Sequence, residues 1–162
     1  TVSVDTDGVT FTCEATSAGG TNSQSVTVKR DATAPTLNPT VAPNPVFLNG
    51  SATATPNASD ALSGIASSSC AAPNTTTVGS KSVNCTATDN AGNTATASTN
   101  YRVIYNFSGF LQPVNNAPVV NSAAAGQSIP VKFSLSGNQG LNIFETGFPR
   151  SLSMVCGGGA TN

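Results

Sequence analysis

Val78-Gly79-Ser80-Lys81-Ser82-Val83-Asn84-Cys85-Thr86-Ala87-Thr88-Asp89-Asn90-Ala91-Gly92-Asn93 is the stretch on which the fold turns. From Lys81 to Ala87, the residues Val83, Cys85 and Ala87 alternate with Ser82, Asn84 and Thr86. That period of two predicts a strand with one face on a core and the other in water. Asp89-Asn90-Ala91-Gly92-Asn93 then supplies a hairpin turn, because Gly and Asn accept positive φ and Asx side chains bond nearby backbone.

Working outward, the same pattern appears once more. Phe11-Thr12-Cys13-Glu14-Ala15-Thr16-Ser17-Ala18-Gly19-Gly20 aligns with Val83–Gly92, and the two cysteines lie 72 residues apart (13 to 85). That spacing is about one small β-sandwich. In each copy a cysteine strand enters a glycine turn and leaves through a Thr/Ser/Val strand. Val9, Phe11, Cys13 and Ala15 fall on one face of the first copy, and Ser25-Val26-Thr27-Val28-Lys29 continues it. These runs predict half-buried antiparallel strands. Lys29-Arg30-Asp31-Ala32-Thr33-Ala34-Pro35 reads as a polar, Pro-stopped linker. The chain therefore divides into three. Residues 1–34 are the closing half of one module, because no opening strands precede the cysteine strand. Residues 35–104 are a complete module. Residues 105–162 begin another β unit, with strands expected near Val119-Val120, over Ile129–Leu135 and over Leu152–Cys156. The Gly157–Ala160 tail reads as flexible.

Composition narrows the class. Of 162 residues only 8% are charged, against about 25% in average domains, and the net charge is −1. Thr, Ser, Ala, Asn and Gly fill the gap. They favour strands and turns, and the scarcity of Glu, Lys and Leu argues against long helices. No basic patch exists to neutralise a row of phosphates, so nucleic acid is excluded as a partner. No run of about 18 apolar residues exists to span a bilayer as a helix. Thr1 is not an initiator Met, so the sequence reads as mature, trimmed or partial.

Catalytic chemistry finds little to work with. There is no His to serve a nucleophile as base. Ser80-Lys81-Ser82 offers the Ser-Lys alternative, but alternation along a strand points neighbours apart. Seven acids scattered over turns do not pair for glycoside chemistry, and Gly157-Gly158-Gly159 lacks the Lys and helix of a phosphate loop. Asp5 and Asp7, and Asp89 with Asn90 and Asn93, could offer oxygens to calcium. Neither has the spacing of a calcium loop, so both read as turns whose side chains bond their own backbone. No catalytic, cofactor or metal residues are assigned.

The four cysteines form no C-x-x-C pair, and no His is there to share a zinc. Sparse cysteines in a hydroxyl-rich chain read as disulfides made outside the cytosol. Cys70 and Cys85 sit 15 residues apart in the complete module. They are assigned as a disulfide, against the alternative of two buried thiols. Cys13 and Cys156 lack local partners. They pair with each other, with residues outside this chain, or between subunits. Phe107, Phe110, Phe133, Phe144 and Phe148 crowd the last third, as a core or as an apolar surface awaiting a partner.

Val78–Asn93 resembles the ending of HYR-type and related bacterial Ig-like repeats, which close on G-x-x-x-V-x-C-x-A-x-D-x-x-G-N. Here Asp89, Gly92 and Asn93 carry that turn motif. The first copy departs from it, with Ser17 for the Asp and Thr21 for the Asn. Asp60-Ala61-Leu62-Ser63-Gly64-Ile65 is similar to the D-x-x-S-G-I segment of such repeats, and Asp31-Ala32-Thr33-Ala34-Pro35 to their D-x-T-A-P junction. Tyr105–Phe110, Pro130-Val131-Lys132-Phe133 and Asn138-Gln139-Gly140-Leu141 resemble landmarks of a PxKF domain. The resemblance implies tandem immunoglobulin-like antiparallel β-sandwich modules in a secreted or surface protein, with no catalytic residues to carry over.

The function expected is that of a non-enzymatic extracellular structural protein, a surface stalk or filament subunit. Unfinished sandwich ends expose strand edges that neighbouring copies or modules of a longer chain complete head-to-tail. An adhesive module for surface glycans, or the accessory region of a larger secreted enzyme, are the alternatives.

Overall fold

The computed structural model describes residues 1–150. Every regular element in them is a strand, twelve in all: β1 (Thr6–Ser17), β2 (Gly20–Arg30), β3 (Thr36–Leu37), β4 (Thr40–Ala42), β5 (Val46–Phe47), β6 (Thr53–Thr55), β7 (Ala58–Ser59), β8 (Ile65–Cys70), β9 (Gly79–Asp89), β10 (Thr94–Ile104), β11 (Phe110–Leu111) and β12 (Lys132–Phe133). The chain forms two compact units, Thr1–Tyr105 and Asn106–Asn162.

The first unit is built around the opening stretch. β9 and β10 form a long antiparallel hairpin, with β8 antiparallel on the far edge of β9 and β5 parallel on the far edge of β10. Alternation sets what faces inward: Val83, Cys85, Ala87 and Asp89 of β9 are buried, while Ser82, Asn84 and Thr86 are exposed. On β10, Tyr101 and Val103 point the same way. Two short antiparallel pairs, β3–β7 and β4–β6, form the second layer, with β3 and β4 packing on β10. Val41, Val46, Val83, Tyr101 and Val103 make the core, and Leu48, Ala52 and Ala54 pack at its margin. Several mainly antiparallel sheets and no helix among the described residues are consistent with the β-sandwich class.

Cys70 and Cys85 stand directly opposite in the β8–β9 register and form a disulfide. The residues near it are small (Ala87, Ala95, Ala97), so the covalent link holds two strands where little apolar volume is available. The core thus runs from bulky side chains at the Tyr101 end to small and finally polar ones at Asp89.

The β1–β2 hairpin departs from expectation. β1 does not bury the Val9–Ala15 face: its residues from Asp7 to Ser17 are exposed. The physical reason is that β1 pairs only with β2 and no second layer packs over either strand among the described residues. β2 also runs on through Lys29 to Arg30, which pairs with Thr6 at the start of β1, so the linker proper begins at Asp31. The hairpin nevertheless has two distinct faces. One carries a hydroxyl ladder, Thr10–Thr27 at 2.9 Å, Thr12–Ser25 at 2.8 Å and Thr16–Thr21 at 3.0 Å. The other sets Val9 opposite Val28 and Phe11 opposite Val26.

In the second unit, β11 and β12 pair over two residues each. The strand expected across Ile129–Leu135 therefore shrinks to Lys132-Phe133, because its partner is cut short between Gly109 and the turn at Gln112-Pro113. Pro130 and Val131 lie outside it. Val119-Val120 forms no strand; it lies in a bend, follows Pro118 and is exposed. Phe107 meets Phe110 and Phe133 edge-on, with centroids 5.5 and 6.0 Å apart, and Phe133 meets Phe144 at 6.1 Å. Phe148 stands apart from them, with the Arg150 guanidinium over its ring. The segment Leu152–Cys156 and the glycine tail, with Cys156, fall outside the described residues.

Candidate functional site

Three loops converge at the polar end of the core. They are the linker at Asp31–Thr33, the β7–β8 loop at Asp60–Gly64 and the β9–β10 turn at Asp89–Asn93. Carboxylate oxygens of Asp31, Asp60 and Asp89 come within 4.8 Å of one another.

Each aspartate has a local job. Asp60 Oδ1 accepts the amides of Leu62 (3.1 Å), Ser63 (2.9 Å) and Gly64 (2.9 Å), which folds its loop around one oxygen. Gly64 can close that loop because it takes φ +73, a conformation that side chains disfavour. Asp89, only 1% exposed, accepts the Asn93 amide on Oδ1 and Asn93 Nδ2 on Oδ2, both at 2.8 Å. Asp31 Oδ1 accepts the Thr33 amide at 3.0 Å, and Oδ2 the Ser63 amide at 3.1 Å. Hydrogen bonding, first from the Ser63 side chain and then from the Thr33 amide, holds the Asp31 carboxyl below the ordinary carboxylate range.

Two asparagines tie the loops together. Asn90 Nδ2 donates to the carbonyls of Ser63 (2.7 Å) and Gly64 (3.2 Å). Asn93 Nδ2 also faces the carbonyls of Asp31 (3.4 Å) and Thr33 (3.3 Å). Asp5 also grips this linker: Oδ1 accepts Arg30 Nη1 (2.7 Å) and the Ala32 amide (2.9 Å), and Oδ2 the Thr33 hydroxyl (2.6 Å). The linker between hairpin and module is therefore held on both flanks.

Spacing alone did not anticipate this. Asp89 and Asn93 do form the local turn expected of them. Asp5 does not bond its own turn but reaches the chain beyond β2, and Asp7 pairs with Lys29 at 2.8 Å. Asp31 and Asp60 belong to the two segments likened above to a junction and an early loop. Their meeting with Asp89 is a product of tertiary structure. Ser80, Lys81 and Ser82 line an open groove of about 550 Å³ with Asn44, Asn100, Tyr101 and Arg102, where Lys81 Nζ donates to Thr77 Oγ1 rather than to either serine. Phe133, of the Pro130-Val131-Lys132-Phe133 motif, joins the phenylalanine cluster of the second unit.

Chemically, the three aspartates present up to six carboxylate oxygens of the kind a hard cation takes, and backbone carbonyls and water commonly complete such a set. Each carboxylate is already engaged by N–H donors of the chain, and neither of the two ion pairs among the described residues involves them. The arrangement works as a lock built from hydrogen bonds. Replacing Asp89 with Ala takes the carboxylate acceptor from the part-buried Asn93 amide and Nδ2 donors, at a cost of about 1–3 kcal/mol. Thermal unfolding of D89A should fall accordingly, with faster amide exchange at Thr33 and Ser63; unchanged exchange there would show that the lock does not hold the linker. No model of a known protein family, no curated protein and no solved structure matches this chain.

Proposed function

We propose that the chain is a non-enzymatic, extracellular structural protein. In this reading it is a stalk or filament element of tandem immunoglobulin-like modules, joined by hydrogen-bonded junctions. The observation that carries it is the double grip on the linker, by Asp5 just ahead of the hairpin and by Asn93 and Ser63 from the module. A linker left free would let neighbouring modules swing. One fixed on both flanks transmits direction from one module to the next, which is what a stalk requires. A hydroxyl- and amide-rich surface with few charges suits a protein held in place. The Cys70–Cys85 disulfide fits an oxidising compartment. No helix among the described residues is long and apolar enough to cross a membrane.

Electron microscopy of the purified chain over a concentration series tests the proposal. Rods or filaments that lengthen with concentration are expected, by head-to-tail contacts that do not close on themselves. Particles that remain dispersed, folded monomers at every concentration would overturn it.

A further inference from the structure

The two hairpins of the first unit are copies in structure as well as in sequence. In β1–β2, Phe11 faces Val26, Cys13 faces Gln24 and Ala15 faces Asn22. In β9–β10, Val83 faces Thr99, Cys85 faces Ala97 and Ala87 faces Ala95. The registers coincide, with one more residue in the second turn. What differs is the neighbour. β9 carries β8 on its free edge, and Cys70 of β8 sits opposite Cys85 and bonds to it. Among the described residues the same edge of β1 is bare, and Cys13 is an exposed free thiol. The face that is buried in β9 is solvent-facing in β1, with Phe11 41% and Val26 58% exposed.

An exposed strand edge beside an exposed apolar face is an unstable surface unless something covers it. The sister hairpin identifies the cover. We infer that the free edge of β1 receives a β8-type strand, antiparallel and in the β8–β9 register, whose cysteine lies opposite Cys13 and forms a disulfide with it. By the same correspondence the donor's second residue before its cysteine lies opposite Ala15, as Ser68 lies opposite Ala87, and must be small. β8 comes from the same polypeptide, 15 residues before its partner cysteine. We take the same source here, polypeptide N-terminal to β1; Thr1–Asp5 contains no cysteine, so the donor lies outside these 162 residues. Closing the bond removes two protons and two electrons from two thiols, and an oxidising disulfide takes them up as it is reduced to two thiols. The inference rests on the tandem-module reading above.

The test uses a synthetic peptide spanning Gly64–Ala72, activated as its mixed disulfide with glutathione. The Cys13 thiolate attacks the peptide sulfur, the protein–peptide disulfide forms, and glutathione leaves as its thiolate. Capture about tenfold faster than by a scrambled peptide of the same composition is expected, with new amide protection on alternate residues of β1 and no capture by C13A. Equal rates for the two peptides would overturn the proposal. A tryptic map of the non-reduced natural polypeptide tests the source. Cys13 linked to a cysteine preceding β1 is expected, and Cys13 linked to Cys156 or to Cys13 of a second copy would overturn it. Filaments without selective capture would sink this inference and leave the structural role standing. Capture without filaments would do the reverse.

Discussion

Replacing both Cys70 and Cys85 with Ala is expected to cost the first unit about 3 kcal/mol, the chain-entropy value for a 15-residue closure. For a module of this size that corresponds to a fall in Tm of roughly 12–24 °C. The effect is large because the bond lies where packing is thin. Towards the Asp89 turn its neighbours on the inward face are Ala87, Ala95 and Ala97, and β8 contributes mainly hydroxyl-bearing side chains, Ser67, Ser68 and Ser69. Little apolar area is available there to hold β8 once the covalent link is gone. Thermal unfolding followed by circular dichroism, with C70A/C85A beside the parent and with the parent under reductant, checks it. A shift of only a few degrees would show that the β8–β9 ladder suffices alone. C13A measured alongside serves as the control, since Cys13 is exposed and unbonded in this hairpin.

Tyr101→Ala should cost about 3–5 kcal/mol, the range for removing a buried aromatic ring. Tyr101 is 2% exposed and packs in the cluster of Val41, Val46, Val83 and Val103. Its hydroxyl emerges to donate to the Asn74 carbonyl at 3.0 Å, fastening the loop between β8 and β9 to the sheet. Tyr101→Phe keeps the ring and loses that bond, so it should cost only about 1 kcal/mol. Urea denaturation of the two variants separates the contributions. Equal losses for Ala and Phe would mean that the loop bond, not the ring, holds this end of the core. The pair matters for function because β5 joins β10 beside Tyr101, at Val46–Val103. A softened core there would slacken the sheet that carries the Asp89 turn at its other end.

The division between local and tertiary information follows particular residues. Alternation at Val83, Cys85 and Ala87 specifies which side of β9 turns inward, because successive side chains of a strand point to opposite faces whatever surrounds it. The same alternation at Phe11, Cys13 and Ala15 specifies a face but not a cover. Whether a face is buried depends on another layer arriving, and among the described residues none packs on β1. The run Ile129–Leu135 shows the converse failure: a strand is only as long as its partner, and β11 offers two residues.

The turn at Asp89–Asn93 and the pairing of Cys70 with Cys85 were therefore accessible to sequence reasoning, since both rest on short-range geometry and on the redox chemistry of sparse cysteines. The meeting of Asp31, Asp60 and Asp89 was not. Each belongs to a separate loop, and the distance between them is set by sheet register and by how the β3–β7 layer lies on β9 and β10. By itself the sequence determined an all-β chain and its repeated cysteine hairpin, because period and turn chemistry act over a few residues. Only the tertiary structure decided that the linker is locked and that the first hairpin stands uncovered. Both depend on long-range packing, which no local pattern encodes.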